Sequence, residues 1–131
     1  PSDITWPDPT NPDTGTFPSD DFRNQRFKLY PMIVDGPWVV KTAVRACPCL
    51  LGQKVVQRYF RGDHYFEIDV HVASSIIAKQ IVGVCRGYAK NFSANIGLIL
   101  EAIHDEELPE HLMGCFQIDK IDMDTAIVLE D

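Results

Sequence analysis

Phe66, Ile68, Val70 and Val72 alternate with Glu67, Asp69 and His71, the period of two that marks a strand with one buried face and one wet one. The period then changes. Ser74 and Ser75 interrupt the alternation, and either can cap a helix by accepting a bond from the first free backbone N–H groups. Beyond them Ile77, Ile81, Val84, Cys85 and Tyr88 recur at helical spacing, which predicts an amphipathic helix from Ser75 to about Lys90. A strand feeding directly into such a helix needs a sheet beside it.

The rest of the pattern supplies that sheet. Arg26–Val34 is rich in β-formers, and Pro31 within it marks an edge strand or a bulge. Asp35-Gly36-Pro37 is a turn signal. Trp38–Val44 reads as strand or short helix, with helix preferred because its basic and apolar positions do not alternate. Cys47–Gly52 reads as a loop with Leu50 and Leu51 buried. Lys54–Phe60 predicts a strand joined by a tight turn at Arg61-Gly62-Asp63 to the strand ending at Val72, a β-hairpin. Asn91–Ala94 reads as a turn, and Asn95–Ile103 as a strand buried on both faces. After an acidic loop at His104–Glu110, Leu112–Ile121 predicts a strand returning alongside, and Ala126–Leu129 a short final one. The expected class is α+β: a mainly antiparallel, curved sheet with one principal amphipathic helix packed across it.

Residues 1–21 differ in character. They hold five of the nine prolines and almost no apolar periodicity, so an extended, acidic arm is expected there, ahead of a single domain over residues 22–131. Trp6 and Phe17 are the exceptions in the arm, and aromatics in such a setting are candidates for docking on a partner. The opening Pro1 in place of Met is expected of a fragment or a processed product. The N-terminal stretch has neither the basic flank nor the apolar run of a secretory signal, and it is too acidic for an intact transit peptide. No apolar run approaches the ~20 residues of a membrane span.

Charge changes the picture more than composition does. The net charge is −7, but residues 22–103 hold eleven bases against five acids, between an N-terminal stretch with five acids and a C-terminal stretch with nine. A basic body between acidic ends either faces an anionic surface or is covered by those ends, and the second reading is the plainer one. The predicted helix carries Lys79, Gly83, Arg86, Gly87 and Lys90 opposite its apolar face. Two glycines four apart leave a flat notch. These five residues are the candidate contact for a lipid or another anionic surface.

Dedicated chemistry is sparse. Cys47-Pro48-Cys49 is too tight for the usual zinc or redox spacing, and Cys85 and Cys115 stand singly. All four cysteines read as reduced and structural, which favours an intracellular, reducing compartment. Glu67, Asp69 and His71 share one strand face at ~6.5–7 Å intervals, and would hold zinc or iron only if a fourth group closed over them. A solvated sheet face is the plainer reading, and neither a metal nor another cofactor is expected. No nucleophile elbow, P-loop or dinucleotide fingerprint is present. Ser74 and Ser75 read as caps, and an enzyme is not expected. Aromatics and bases interleave at Arg23–Tyr30 and Arg58–Tyr65 without a recognised stacking motif, so nucleic acid is not expected as a partner. Asn91-Phe92-Ser93 fits the glycosylation sequon, but nothing else points to secretion.

FRNQRFKLYPMIVDGPWVVKTAV, PCLLGQKVVQRYFRGDHYFEIDVHVASSIIA and ELPEHLMG, in that order, resemble the C-terminal domain of the plant Enhanced Disease Resistance 2 family. The resemblance is collinear along almost everything after Asp20, and it covers the C-terminal half of the family's domain. It implies a non-enzymatic domain associated with lipids and membranes, in a family linked to negative regulation of defence and cell death. Because the family's domain has no established catalytic residues, none is carried over. Where the family reads EIDVDIGSS this chain has EIDVHVASS, so His71 replaces an acid and Ala73 a glycine. The resemblance leaves two expectations, a peripheral lipid- or membrane-associated domain and an accessory subunit docked in a larger protein complex through its N-terminal arm. With a removed targeting segment, an organelle is compatible with either.

Overall fold

The computed structural model describes residues 19–129. In chain order the elements are α1 (Asp20–Asn24), β1 (Phe27–Asp35), α2 (Trp38–Ala43), β2 (Cys49–Leu50), β3 (Val56–Arg61), β4 (Phe66–His71), α3 (Ile76–Gly87), β5 (Ser93–Leu100) and β6 (Leu112–Asp119), with single 3-10 turns between several of them. The class is α+β, as the hydrophobic periods imply. The strands are antiparallel but form two sheets, a four-stranded one in the order β2-β1-β5-β6 and the two-stranded β3-β4 hairpin.

β5 is an inner strand of the larger sheet, paired along both edges, which matches its nearly continuous apolar run. It starts at Ser93 rather than after Ala94 and ends at Leu100 rather than Ile103. The expected turn at Asn91–Ala94 is a 3-10 turn at Ala89–Asn91, after which Phe92, Ser93 and Ala94 are buried. β1 pairs with β5 along its length and with β2 only at Lys28 and Leu29. At Pro31 its outer edge is therefore open, where a missing N–H costs no ladder bond. The irregularity in β1 falls between Ile33 and Asp35 instead.

The register separates the faces of this sheet. Ile33, Ala94 and Ile118 lie across from one another, followed by Pro31, Ile96 and Phe116, then Leu29, Leu98 and Gly114, then Phe27 and Leu100. Only the first of these rows is well covered. Val39 and Val40 of α2 and Val84 and Cys85 of α3 meet there with Ile33, Val44, Phe92 and Ala94, and Val40 is fully buried. Farther along, Leu100 is exposed and Phe116 is half exposed. Gly36 turns β1 into α2 at φ +146°, and a Cβ added there would lie 2.6 Å from the Phe92 Cβ, so the turn and the core share one tight contact.

Several expectations need correction. The hairpin turn spans Gly62–Tyr65 rather than Arg61–Asp63, and the Gly62 N–H donates to the Tyr65 carbonyl at 3.0 Å. Leu50 and Leu51 are half-buried, and Cys49–Leu50 form a short strand. The α-helix stops at Gly87, where Tyr88 caps it, and a 3-10 turn carries the chain on to Asn91. Ala126–Leu129 form no strand. Ile127, Val128 and Leu129 are almost fully exposed, because no strand edge among the described residues lies beside them to satisfy their backbone.

Candidate functional site

α3 begins where the Ser75 hydroxyl accepts from the Ala78 N–H at 3.3 Å, which satisfies one of the orphan donors of the first turn. Ala78, Ile81, Val84 and Cys85 are half-buried against the rest of the fold, and burial pushes the Cys85 thiol pKa up. The predicted packed face is thus present from Ile81 to Cys85. Ile77 and Tyr88, expected on it, are exposed, because the helix overhangs the core at both ends. At its start Ile76 is 78% and Ile77 71% exposed. Two large apolar side chains standing in solvent were not foreseen, since helical spacing alone assigned Ile77 to the interior.

On the outer face the five candidate residues do not form one cationic patch. Lys79 and Arg86 are exposed and make no ion pair among the described residues. Among the described residues no atom lies within 4 Å of a Cβ added at Gly83 or Gly87, so there the notch is open surface rather than a packing contact. Lys90 departs from the expectation. Its ammonium bridges Asp124 at 2.6 Å and Asp122 at 2.9 Å, and these carboxylates hold its pKa raised. Its charge is spent within the molecule. Trp6 and Phe17, expected to dock a partner, lie outside the described residues.

The same folding-back occurs at the other end of the sheet. Arg26 pairs with Glu107, and Lys28 with both Glu101 and Glu110. Glu107 also accepts from the Ile103 and His104 N–H groups, and Glu110 from the Ala102 N–H. The Arg26 guanidinium, with these N–H donors, lowers the Glu107 pKa to about 2. Burial alone would lower the Lys28 pKa, but the Glu101 and Glu110 carboxylates outweigh it and leave it raised. The C-terminal acids therefore cover part of the basic body, as the plainer reading of the charge asymmetry held.

Glu67, Asp69 and His71 do share one face of the hairpin, with Arg58 across from Asp69 and Val56 across from His71. Asp69 raises the Glu67 pKa. Among the described residues no three of His, Cys, Asp and Glu gather as a metal site. On the hairpin's other face Arg23 of α1 stacks over Tyr59 and Phe66, 5.3 and 5.6 Å from the ring centres. With the Tyr59 hydroxyl bond to Asn24 Oδ1 at 2.7 Å, this contact holds the hairpin against α1.

Beside that contact, under the start of α3, lies a cleft of about 330 Å³ lined by Asn24, Gln53, Lys54, Gln57 and Ser74, among others. Ser74 fixes its wall by accepting from the Val56 N–H at 2.8 Å and donating to the His71 carbonyl at 2.6 Å. Apart from Ser74, read from the sequence as a cap candidate, no feature of the sequence singled these residues out, because Asn24 and Gln57 are brought together only by the packing of α1 on β3.

The profile of the family described as "Protein ENHANCED DISEASE RESISTANCE 2, C-terminal" matches residues 6–122. The chain belongs to this family. An Enhanced Disease Resistance 2-like protein of Arabidopsis thaliana is 38% identical over 109 residues, which cover 83% of this chain and 15% of the relative. The chain therefore spans a small part of that relative's length. No solved structure matches. The Enhanced Disease Resistance 2 C-terminal match runs through α1, the hairpin and the whole of α3, so the overhanging helix and the cleft both lie within the family's region. Among the described residues no helix is long and apolar enough to cross a membrane.

Proposed function

We propose that this domain is a non-enzymatic module that associates with an anionic membrane surface through the outer face and leading end of α3. The observation that carries the reading is the exposure of Ile76 and Ile77 at the start of α3 together with that of Lys79 and Arg86 along it, which make no ion pair among the described residues. Apolar side chains at such an edge enter the interface, while each nearby cation contributes about 1 kcal/mol against anionic lipid. The open Gly83–Gly87 surface lets the helix approach closely. Sedimentation with phosphatidylcholine vesicles, with and without phosphatidylserine, tests this. Binding is expected only with the anionic lipid, and is lost in Lys79→Glu/Arg86→Glu and in Ile76→Asp/Ile77→Asp. Unchanged binding of both variants would overturn the reading.

One observation favours a second reading, an accessory subunit in a larger assembly. The sheet face beyond Ile33–Ala94–Ile118 carries Leu100 and Phe116 into solvent, and exposed apolar rows of that kind are commonly closed by a partner protein. Native mass spectrometry of the chain taken from its own source separates the two. Bound lipid favours the membrane module, and a stoichiometric protein partner without lipid favours the subunit.

A further inference from the structure

β6 is the outermost strand of the four-stranded sheet and pairs with β5 alone among the described residues. Its outer row of backbone N–H and C=O groups is a template for another strand, and monomeric proteins blunt such rows with charge, proline or a bulge. The other strands are blunted in this way. Along β1, β2 covers Lys28 and Leu29, and Pro31 interrupts the open part. In the hairpin β3 carries Arg58 and Arg61, and β4 carries Glu67 and Asp69. β6 has neither charge nor proline from Leu112 to Ile118. Its irregularity comes at the start, where Leu98 faces Gly114 and Ile99 faces Leu112, so that Met113 is bulged. At the other end Lys120, at φ 43°, turns the chain out of the strand. The regular run between them, Gly114–Asp119, is left unguarded.

We infer that β6 pairs antiparallel with β6 of a second copy of this chain, joining the two four-stranded sheets into one. A two-fold axis normal to the sheet keeps like faces together, so the residue on the axis meets its own copy and its neighbours pair symmetrically about it. With Phe116 on the axis, the half-exposed rings meet each other, Gly114 lies opposite Ile118, and Cys115 opposite Gln117. Each pair fits. A Cβ added at Gly114 would meet no described atom within 4 Å, which leaves room for the isoleucine. The row Ile33–Ala94–Ile118 then continues into the row Gly114–Leu98–Leu29 of the second copy. Asp119 is set against Met113, so no like charges face one another. This self-complementarity selects a second copy over an unrelated strand. Both copies of α3 come to lie on the same side of the joined sheet, since Val84 and Cys85 pack with Ile33 and Ala94 in each. Two leading ends of α3 would address one membrane together, a consequence that, unlike the dimer, rests on the membrane reading above.

The test uses the full chain. Sedimentation velocity over a dilution series is expected to show a monomer–dimer equilibrium. Phe116→Lys brings two like charges together on the axis and should raise the dissociation constant about tenfold or more. Cys115→Lys guards the edge from the opposite face, and because Cys115 is exposed it stays informative if Phe116→Lys fails to fold. Crosslinking reads the register. Residues directly opposite in an antiparallel pair have Cα atoms ~4.5–5.5 Å apart, within disulfide reach. In a Cys47→Ser/Cys115→Ser background, Phe116→Cys should therefore form a covalent dimer with diamide, whereas Ile118→Cys, opposite Gly114, should not. A monomer at every concentration overturns the proposal and leaves the edge to a strand of a different chain. A dimer indifferent to both lysines, or one that crosslinks through Ile118→Cys and not Phe116→Cys, overturns the pairing.

Discussion

Gly36 carries two constraints at one Cα. Its φ of +146° is outside what side chains with a Cβ readily adopt, and the space a methyl would need is held by Phe92. Gly36→Ala should therefore destabilise the domain by more than about 1 kcal/mol, visible as a lower urea midpoint with an unchanged slope. The turn itself was readable from Asp35-Gly36-Pro37, but the contact with Phe92 was not, since nothing local joins residues so far apart. Glu107 shows the same limit. Its partner Arg26 is 81 residues away in the chain, and charge counting predicted only that some acids would meet some bases. With its pKa lowered to about 2 in the folded protein, against ~4.3 when unfolded, Glu107 adds stability at neutral pH. That contribution is complete above about pH 4.3 and fades as the pH falls towards 2. Thermal unfolding between pH 5 and 2 should show the decline, and Glu107→Gln should flatten it while lowering the midpoint at neutral pH.

At the level of elements, α3 was the most legible part of the chain, because the change of period, the Ser75 cap and the packed residues Ile81, Val84 and Cys85 all agree. Ser75→Ala should cost about 1 kcal/mol through loss of the cap. Gly83→Ala should do the reverse, adding about 1 kcal/mol, because its Cβ meets nothing within 4 Å among the described residues. Opposite shifts in melting temperature check both, and a destabilised Gly83→Ala would mean that something covers the helix after all. The hairpin was legible for a similar reason, since alternation survives whichever sheet it joins. Ala126–Leu129 failed as a strand because β propensity expresses fit to a neighbouring edge, and here no edge adjoins. Ile77 failed as a packed residue because periodicity fixes its face but not how far the core extends beneath it.

For the whole molecule, the class followed from the pattern, whereas the strand order of the larger sheet and the division into two sheets did not. Hydrophobic period identifies strands, but only packing decides which of them share a ladder. The candidate site divided in the same way. Lys79, Gly83, Arg86 and Gly87 were found from helical spacing and are open to solvent, Lys90 was withdrawn by Asp122 and Asp124, and the cleft at Gln57 was invisible until α1 and β3 came together.

The uncovered rows of the four-stranded sheet carry one further consequence. Leu100 and Phe116 form, with Pro31, Ile96 and Leu98, a wall whose opposite wall is missing among the described residues. Transiently exposed apolar surface of this kind is also what makes a chain still folding prone to aggregate. If that wall stays open, the solubility of the domain on its own depends less on its unfolding free energy than on the concentration at which such walls meet one another.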